Sequence, residues 1–428
     1  MLCEQSWLQT LATAAGIRPP PWRYTKMNKT RRISDHWLRT ILTALYERRE
    51  VTRAQIVRST QLNVASVSLA LKHLLSRGVI LRIGTLQSTG GRRREVLKLN
   101  AEAGYFVTAD LEGESLRFAV TNLVGDIRYR WAEDIEIGKC LDIDRVADGV
   151  QRLLDKLDHL ERPRVIAVGI SCPGYVEEGA HVSAVNLGWT RVPLLARLRK
   201  RISLPIFLEG SGRIAALAER WLGVAKNSDN FVYVVFGAGV GLSGFIDGKL
   251  LRGFKGLGGE LGHITIDPDA QERCNCGKQG CLEAIVSSSS VVRQYLASKG
   301  HGHEMLPRAR LADVFEAARR GDSLAQSVLD RMQEALTSAL SFVTIVLSPE
   351  VIVLGGDLTS GEDLLLPRIR EGVLRNIPVS LRRPCEVKMS ALGLDIGLKG
   401  AASLAFHESM HDPKLLREIC RPPLERHS

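Results

Sequence analysis

No stretch of this chain is long and apolar enough to cross a membrane. The longest uncharged run, Asn230–Ile246, is broken by Gly237, Gly239, Gly241 and Gly244 and reads as two buried strands around a turn. A secretory signal is missing as well: Glu4 stands where such a peptide needs Lys or Arg, and the apolar run Trp7–Ile17 is short and interrupted. Five of the eight cysteines, Cys3, Cys140, Cys172, Cys385 and Cys420, show no framework spacing. Disulfides are therefore not expected, and a cytoplasmic setting is. Residues 1–26 end in Pro19-Pro20-Pro21 and are expected to be a disordered leader, with Met27 as an alternative start.

Aromatic residues are sparse at 5 %, but 45 % hydrophobic and 25 % charged residues over 428 positions suit a globular protein of two to three domains. The net charge of +11 is unevenly placed. Residues 27–99 hold 15 Lys/Arg against 4 Asp/Glu, whereas residues 100–428 hold 40 against 42. A compact basic segment on a near-neutral body is the electrostatic footprint of a nucleic-acid-binding module.

Within that segment the apolar stripe Trp37, Leu38, Ile41, Leu42, Leu45 predicts a helix over Asp35–Arg48. Thr52 is a good cap for a second helix, Arg53–Ser59, and Asn63 for a third, Val64–Arg77, with Val67, Leu71, Leu74 and Leu75 facing inward. Gly78 ends it, and Val79–Ile83 and Val96–Leu99 read as paired strands around Gly90-Gly91-Arg92-Arg93-Arg94. Residues 27–99 are thus expected to form a winged helix-turn-helix for double-stranded DNA. Its third helix would offer Asn63, Ala65, Ser66, Leu69 and Lys72 to the major groove. Arg92 and Arg93 would reach a narrow minor groove or the phosphates. A helical dimerisation module with a basic linker is the alternative.

His263, Cys274, Cys276 and Cys281 match a closed Cys3His zinc site. Gly277 and Gly280 allow the loop to fold tightly around an ion. Glu260 places a carboxylate three residues before the metal-binding His, which suggests a ligand pocket built against a structural metal. From residue 104 onward strands and helices recur. Tyr105–Ala109, Leu116–Thr121 and Ile127–Trp131 form a meander; helix Asp144–Leu160, strand Val165–Ile170, strand Ile206–Leu208 and helix Ile214–Leu222 follow. Phe231–Phe236 and Val240–Ile246 start the pattern again, with a helix at Leu324–Leu347 and a strand at Val351–Leu354. An α/β body of two mixed-sheet lobes with a cleft between them is expected.

These features together resemble the ROK family of repressors and sugar kinases. Glu260-Leu-Gly262-His263 matches one family signature, Cys274-Asn-Cys276-Gly277-Lys-Gln-Gly280-Cys281-Leu-Glu283 the other, and the Gly-Gly-Arg-Arg run matches the regulator branch. The resemblance implies a two-lobed actin-like, ribonuclease-H-like body over 100–410, with lobes at about 100–222 and 223–395, and a tail at 411–428. It also implies a structural zinc and a sugar pocket in which Glu260, His263 and Glu283 bond hydroxyls. Asn186-Leu-Gly188-Trp189 would border that pocket, with Trp189 stacking on a sugar or packing in the core. A homodimer or homotetramer is expected.

Two departures from the family's kinases stand out. Asp110-Leu111-Glu112-Gly113-Glu114 replaces the phosphate-cradling Asp-x-Gly-Gly-Thr, setting carboxylates where an anion should bind. Glu209-Gly210-Ser211-Gly212-Arg213 replaces Glu-Asn-Asp-Ala-Asn, so Ser211 stands at the catalytic Asp and no general base remains. The expected function is a DNA-binding regulator, most simply a repressor, that senses a carbohydrate and is not an enzyme. A carbohydrate kinase and a regulator controlled by a protein partner are the alternatives.

Overall fold

The computed structural model describes residues 33–86, 94–136, 139–159, 161–177, 181–184, 187–226, 228–300, 309–381 and 385–422. The leader 1–26, Arg92, Arg93 and Asn186 lie outside the described residues. Helix α1 (Asp35–Arg48) buries Leu38, Ile41, Leu42 and Leu45 on one face. Strand β1 (Glu50–Thr52) leads into α2 (Arg53–Thr60), where Thr52 and Gln55 cap each other reciprocally. Gln61, at φ 55, turns the chain, and Asn63 Oδ1 accepts the Ser66 N–H at 2.9 Å to start α3 (Val64–Ser76). Strands β2 (Ile80–Leu86) and β3 (Arg94–Leu99) join β1 in an antiparallel sheet of order β1-β3-β2. Ser66, expected to face DNA, is buried instead: it sits in the first turn beside Val67, and α3 packs that side inward. Leu75, expected inside, is only half-buried.

Two further sheets build the body. The first holds β4 (Tyr105–Asp110), β5 (Ser115–Asn122), β6 (Ile127–Asp134), β7 (Val165–Cys172) and, after the short strands β8 (Tyr175–Val176), β9 (Val182–Ala184) and β10 (Trp189–Val192), β11 (Ile206–Gly210). Its order is β11-β7-β4-β5-β6. The second, β14-β13-β12-β15-β16, is formed by β12 (Phe231–Phe236), β13 (Val240–Ile246), β14 (Lys249–Leu250), β15 (Val351–Gly356) and β16 (Glu386–Met389). Both sheets share one plan: the first strand is central, two antiparallel strands follow on one side and two parallel strands on the other. The glycine-rich run 237–241 is the hairpin between β12 and β13. No helix among the described residues is long and apolar enough to cross a membrane.

The order of the chain does not follow the lobes. Helices α4 (Ile143–Leu154) and α5 (Leu194–Leu198) belong to the first sheet, whereas α6 (Ser211–Trp221), which follows β11, packs on β12 and β13 of the second sheet as well as on β11 and β7. Helices α7 (Leu282–Val286), α8 (Ser288–Ser298), α9 (Leu311–Arg319), α10 (Ser323–Leu347) and α11 (Glu362–Asn376) surround the second. The last long helix, α12 (Ile396–His411), then returns to the first sheet and packs on β4, β7 and α6. Its approach is close: a Cβ on Gly169 of β7 would stand 2.1 Å from the Ala401 carbonyl oxygen. The stretch from 411, which carried no assignable role, continues as α13 (Pro413–Ile419), with Leu415, Leu416 and Ile419 buried. Arg417 of α13 pairs with Asp35 of α1 at 3.8 Å.

Helices α1, α6 and α12 meet at Tyr46, which is 1 % exposed. Its ring stacks on Phe406 with centroids 4.0 Å apart and meets Trp221 edge-on at 5.3 Å. Its hydroxyl shares a hydrogen bond with Ser403 Oγ at 3.2 Å. Burial raises the Tyr46 pKa, which keeps the phenol neutral. Next to it, burial lowers His407 from its ordinary 6.5 to about 4, helped by repulsion from His411, Arg220 and Arg252.

Because that pKa is depressed, His407 contributes stability above pH 6.5 that is lost as pH falls towards 4. Urea unfolding across this window should show the wild type losing at most about 3 kcal/mol more than His407→Gln. Equal slopes would mean that the imidazole takes up its proton as readily in the folded state as in the unfolded one.

Candidate metal centre and ligand cleft

The segment after β14 forms a one-turn helix, Leu261–His263, entered from Glu260. Thr265 then bridges to Cys281, and Arg273 to Gln279, so the chain doubles back on itself. The turn between is tight: Cys274 N donates to Lys278 O at 2.8 Å and Gly277 N to Cys274 O at 3.0 Å. Gly280, at φ 69, lies so close to Asp267 that a Cβ would stand 1.9 Å from its carbonyl oxygen.

This folding brings His263, Cys274, Cys276 and Cys281 together, with their donor atoms all within 4.8 Å of one another. Cys274 Sγ is 3.5 Å from His263 Nδ1, and Cys276 Sγ is 3.7 Å from Cys281 Sγ. The four side chains could hold a metal ion. Burial raises the Cys274 and Cys281 thiols, while backbone hydrogen bonding at Lys278 lowers Cys276. An ion bound there must therefore displace protons.

Ring nitrogen Nδ1 of His263 faces the thiols, and Nε2 faces Glu260 at 4.0 Å. A metal on Nδ1 fixes the remaining proton on Nε2. An N–H donor and a carboxylate acceptor then share one side of the cleft. Glu283 is tied further back: Oε2 accepts the Val240 N–H at 3.0 Å, and Oε1 lies 3.6 Å from Cys274 Sγ. Trp189 is core, with its indole N–H donated to Leu141 O at 2.8 Å, and so is not a stacking surface.

A second group of charged residues lies on the first lobe, at the ends of β4 and β11. Asp110, at the end of β4, is buried, and its Oδ2 takes Arg117 Nη2 at 2.5 Å. Arg117 also donates Nη1 to Leu394 O at 2.6 Å, just before α12. Burial raises Asp110, and Arg117 opposes that rise. Burial raises the Glu112 carboxyl above its ordinary range, and the nearby Ser211 side chain opposes that rise. The two departures from the kinase pattern therefore lie near each other. Glu209 accepts Arg213 Nε at 2.7 Å and also pairs with Arg252. Arg213 Nη1 reaches Gly256 O at 3.1 Å.

The sequence motifs gave no sign of Arg117 or Arg252, and showed Arg213 only as a departure from the kinase pattern. Arg117 could have been found from the hairpin alone, because Asp110 and Arg117 are direct cross-strand partners.

The ROK family model matches residues 108–408. The chain belongs to the ROK family. A glucokinase of Halalkalibacterium halodurans is 31 % identical over 70 % of this chain and 94 % of its own length. A putative xylose repressor of Caldicellulosiruptor sp. is 27 % identical over 87 % of this chain and 96 % of its own length. Among solved structures, a ROK family transcriptional regulator homologous to the E. coli MLC protein has a TM-score of 0.73 at 25 % identity, covering 90 % of this chain and 99 % of that one. The body has the actin-like ROK sugar-kinase-type fold.

Metal analysis of the purified protein should find one tightly held ion per chain. Cys274→Ser should abolish it and lower the melting temperature, whereas Cys140→Ser, outside the cluster, should change neither. Retention of the ion by Cys274→Ser would mean that another set of donors holds it.

Proposed function

We propose that the chain is a DNA-binding transcriptional repressor whose zinc-bearing body senses a carbohydrate and no longer transfers phosphoryl groups. The observation that carries this reading is the exchange of both kinase motifs, Glu112 and Glu114 standing where phosphate would be cradled and Ser211 where the catalytic base would be, in a chain whose front module is matched by a repressor relative. A serine cannot itself take the proton of a sugar hydroxyl near neutral pH, and a carboxylate repels the phosphate oxygens.

The front module supports DNA binding. Helices α1–α3 with the sheet β1-β3-β2 fit a winged helix-turn-helix in which α3 enters the major groove. Asn63, Ala65 and Lys72 are exposed, and Leu69 is half-buried. Asn63 spends its carbonyl oxygen on the cap and keeps its amide nitrogen for a base edge. The wing would add Arg92 and Arg93 to the phosphates or the minor groove. The relatives agree in extent: the glucokinase alignment covers 70 % of the chain, whereas the xylose repressor alignment covers 87 %.

Zinc is the ion that fits the donors. At zinc–sulfur lengths of about 2.3 Å and zinc–nitrogen lengths of about 2.0–2.1 Å, a tetrahedral centre needs S···S edges of about 3.8 Å and S···N edges of about 3.5 Å. The separations here are 3.7 Å and 3.5 Å. Bound there, the ion would fix the loop and the His263 ring and offer no open position to a substrate. Glu260, His263 and Glu283, with Asn186, would then hold the hydroxyls of the effector.

Effector binding would reach DNA through α6 and α12. Both start at the cleft, at Ser211 and beside Asp110, and both end around Tyr46 of α1. A homodimer or homotetramer working in the cytoplasm would place two modules on one operator. The second reading, a carbohydrate kinase, rests on the 31 % identity to a glucokinase.

Binding to the chain's own upstream DNA, measured across salt concentrations, tests the proposal. Tight, salt-steep binding is expected, and Lys72→Ala should lower the slope of log K against log salt by about 1. A coupled assay with ATP and sugars should show no turnover. Sugar-dependent ADP release without specific DNA binding would sink the repressor and establish the kinase.

A further inference from the structure

The space that Gly210 leaves is not empty. A Cβ on Gly210 would stand 3.3 Å from Arg213 Nη2, so the guanidinium lies where an asparagine side chain stands in the kinase pattern. An amide that both donates and accepts has been exchanged for a group that only donates. Glu209 lies between two such groups. It is 4 % exposed, takes Arg213 Nε at 2.7 Å and the Gly210 N–H at 2.8 Å, and pairs with Arg252. Among the described residues neither arginine has a second acidic partner. Two guanidinium groups thus share one carboxylate, and Arg252 keeps half of its side chain exposed.

This pair sits where the lobes meet. Arg213 starts α6 in the first lobe and holds Gly256 O of the second at 3.1 Å; Tyr175 OH donates to Lys255 O in the same loop. The loop keeps Phe254 and Leu257 exposed, so these hydrogen bonds, rather than apolar packing, tether it. It leads directly into Glu260 and the metal centre. The loop thus runs from a pair of arginines with N–H groups to spare to Glu260, an exposed acceptor suited to hydroxyls.

We propose that the cleft takes a carbohydrate carrying an oxyanion, a carboxylate or a phosphate, received by Arg213 and Arg252. Arginine is the side chain best shaped to take such a group with two parallel hydrogen bonds. The ligand's anion gives the arginines that share Glu209 a second acidic partner, and its ring hydroxyls face Glu260. Seating it replaces the Gly256 carbonyl as a partner of Arg213, which couples occupancy to the loop between the lobes. This inference rests on the carbohydrate-sensing reading above and names the class of carbohydrate.

The test is isothermal titration of the metal-loaded full chain with glucose, galactose and xylose, and with glucuronate, galacturonate and glucose 6-phosphate. Arg213→Asn and Arg252→Gln are titrated in parallel, with melting curves and metal content confirming that each variant is folded. An acidic member should bind at least tenfold more tightly than its neutral parent, and both variants should lose that preference. Whether the uronates or the phosphate ester binds identifies the source of the oxyanion. Neutral sugars binding equally well, or a preference that survives both substitutions, overturns the inference and leaves carbohydrate sensing intact. If no carbohydrate of either kind binds, carbohydrate sensing itself falls, and this inference with it.

Discussion

Tyr46 can be buried only where three helices converge, and that requirement ties this molecule together. The ring belongs to α1, the first helix of the basic module, yet its contacts are Trp221 on α6 and Phe406 and Ser403 on α12. Each aromatic contact contributes about 0.5–1.5 kcal/mol beyond the area it buries. The hydroxyl adds a hydrogen bond of about 1 kcal/mol where an unpaired one would cost more. Neither α6 nor α12 can shift along its axis without disturbing this packing. The basic module is therefore seated directly on the two helices that line the cleft.

The same two helices explain how residues of the kinase pattern can be exchanged without loss of the fold. Ser211 and Arg213 open α6, and Leu394, which holds Arg117, precedes α12. Substitutions at those helix starts change the chemistry of the cleft but leave the buried faces of the helices as they were. Asp110 keeps its place because Arg117 neutralises it, and Glu209 because two arginines do. A buried carboxylate stripped of its partner would cost several kcal/mol. Both acids thus stand in structural ion pairs. The metal loop, in the other lobe, depends on none of them.

Much of this was legible in the sequence because it is written locally. The Cys-x-Cys and His spacing identified the donor cluster, and capping residues Thr52 and Asn63 marked the starts of two helices. Apolar runs marked most strands of the two sheets, but not the short edge strands β14 and β16. What escaped is non-local or too short to show a period. Strand β1 has only three residues, and Glu50 at its start carries no apolar signal. The return of α12 to the first lobe rests on the fit of Gly169 against Ala401, residues far apart in the chain. Ser66 read as exposed because it is polar, but helix phase buries it beside Val67. Arg213 was visible as a departure from the family pattern. Its partnership with Arg252 was not, because only the fold brings positions 213 and 252 to the same carboxylate.

The central claim is that the DNA module and the cleft form one mechanical unit joined at Tyr46. Amide hydrogen exchange of the full chain, with and without DNA carrying its operator, tests it most directly. Coupling between the sites must be reciprocal. The account therefore predicts that operator DNA changes exchange along α6 and α12, as far as the ends of those helices that face the cleft. Changes confined to residues 35–99, with α6 and α12 unaffected, would contradict it.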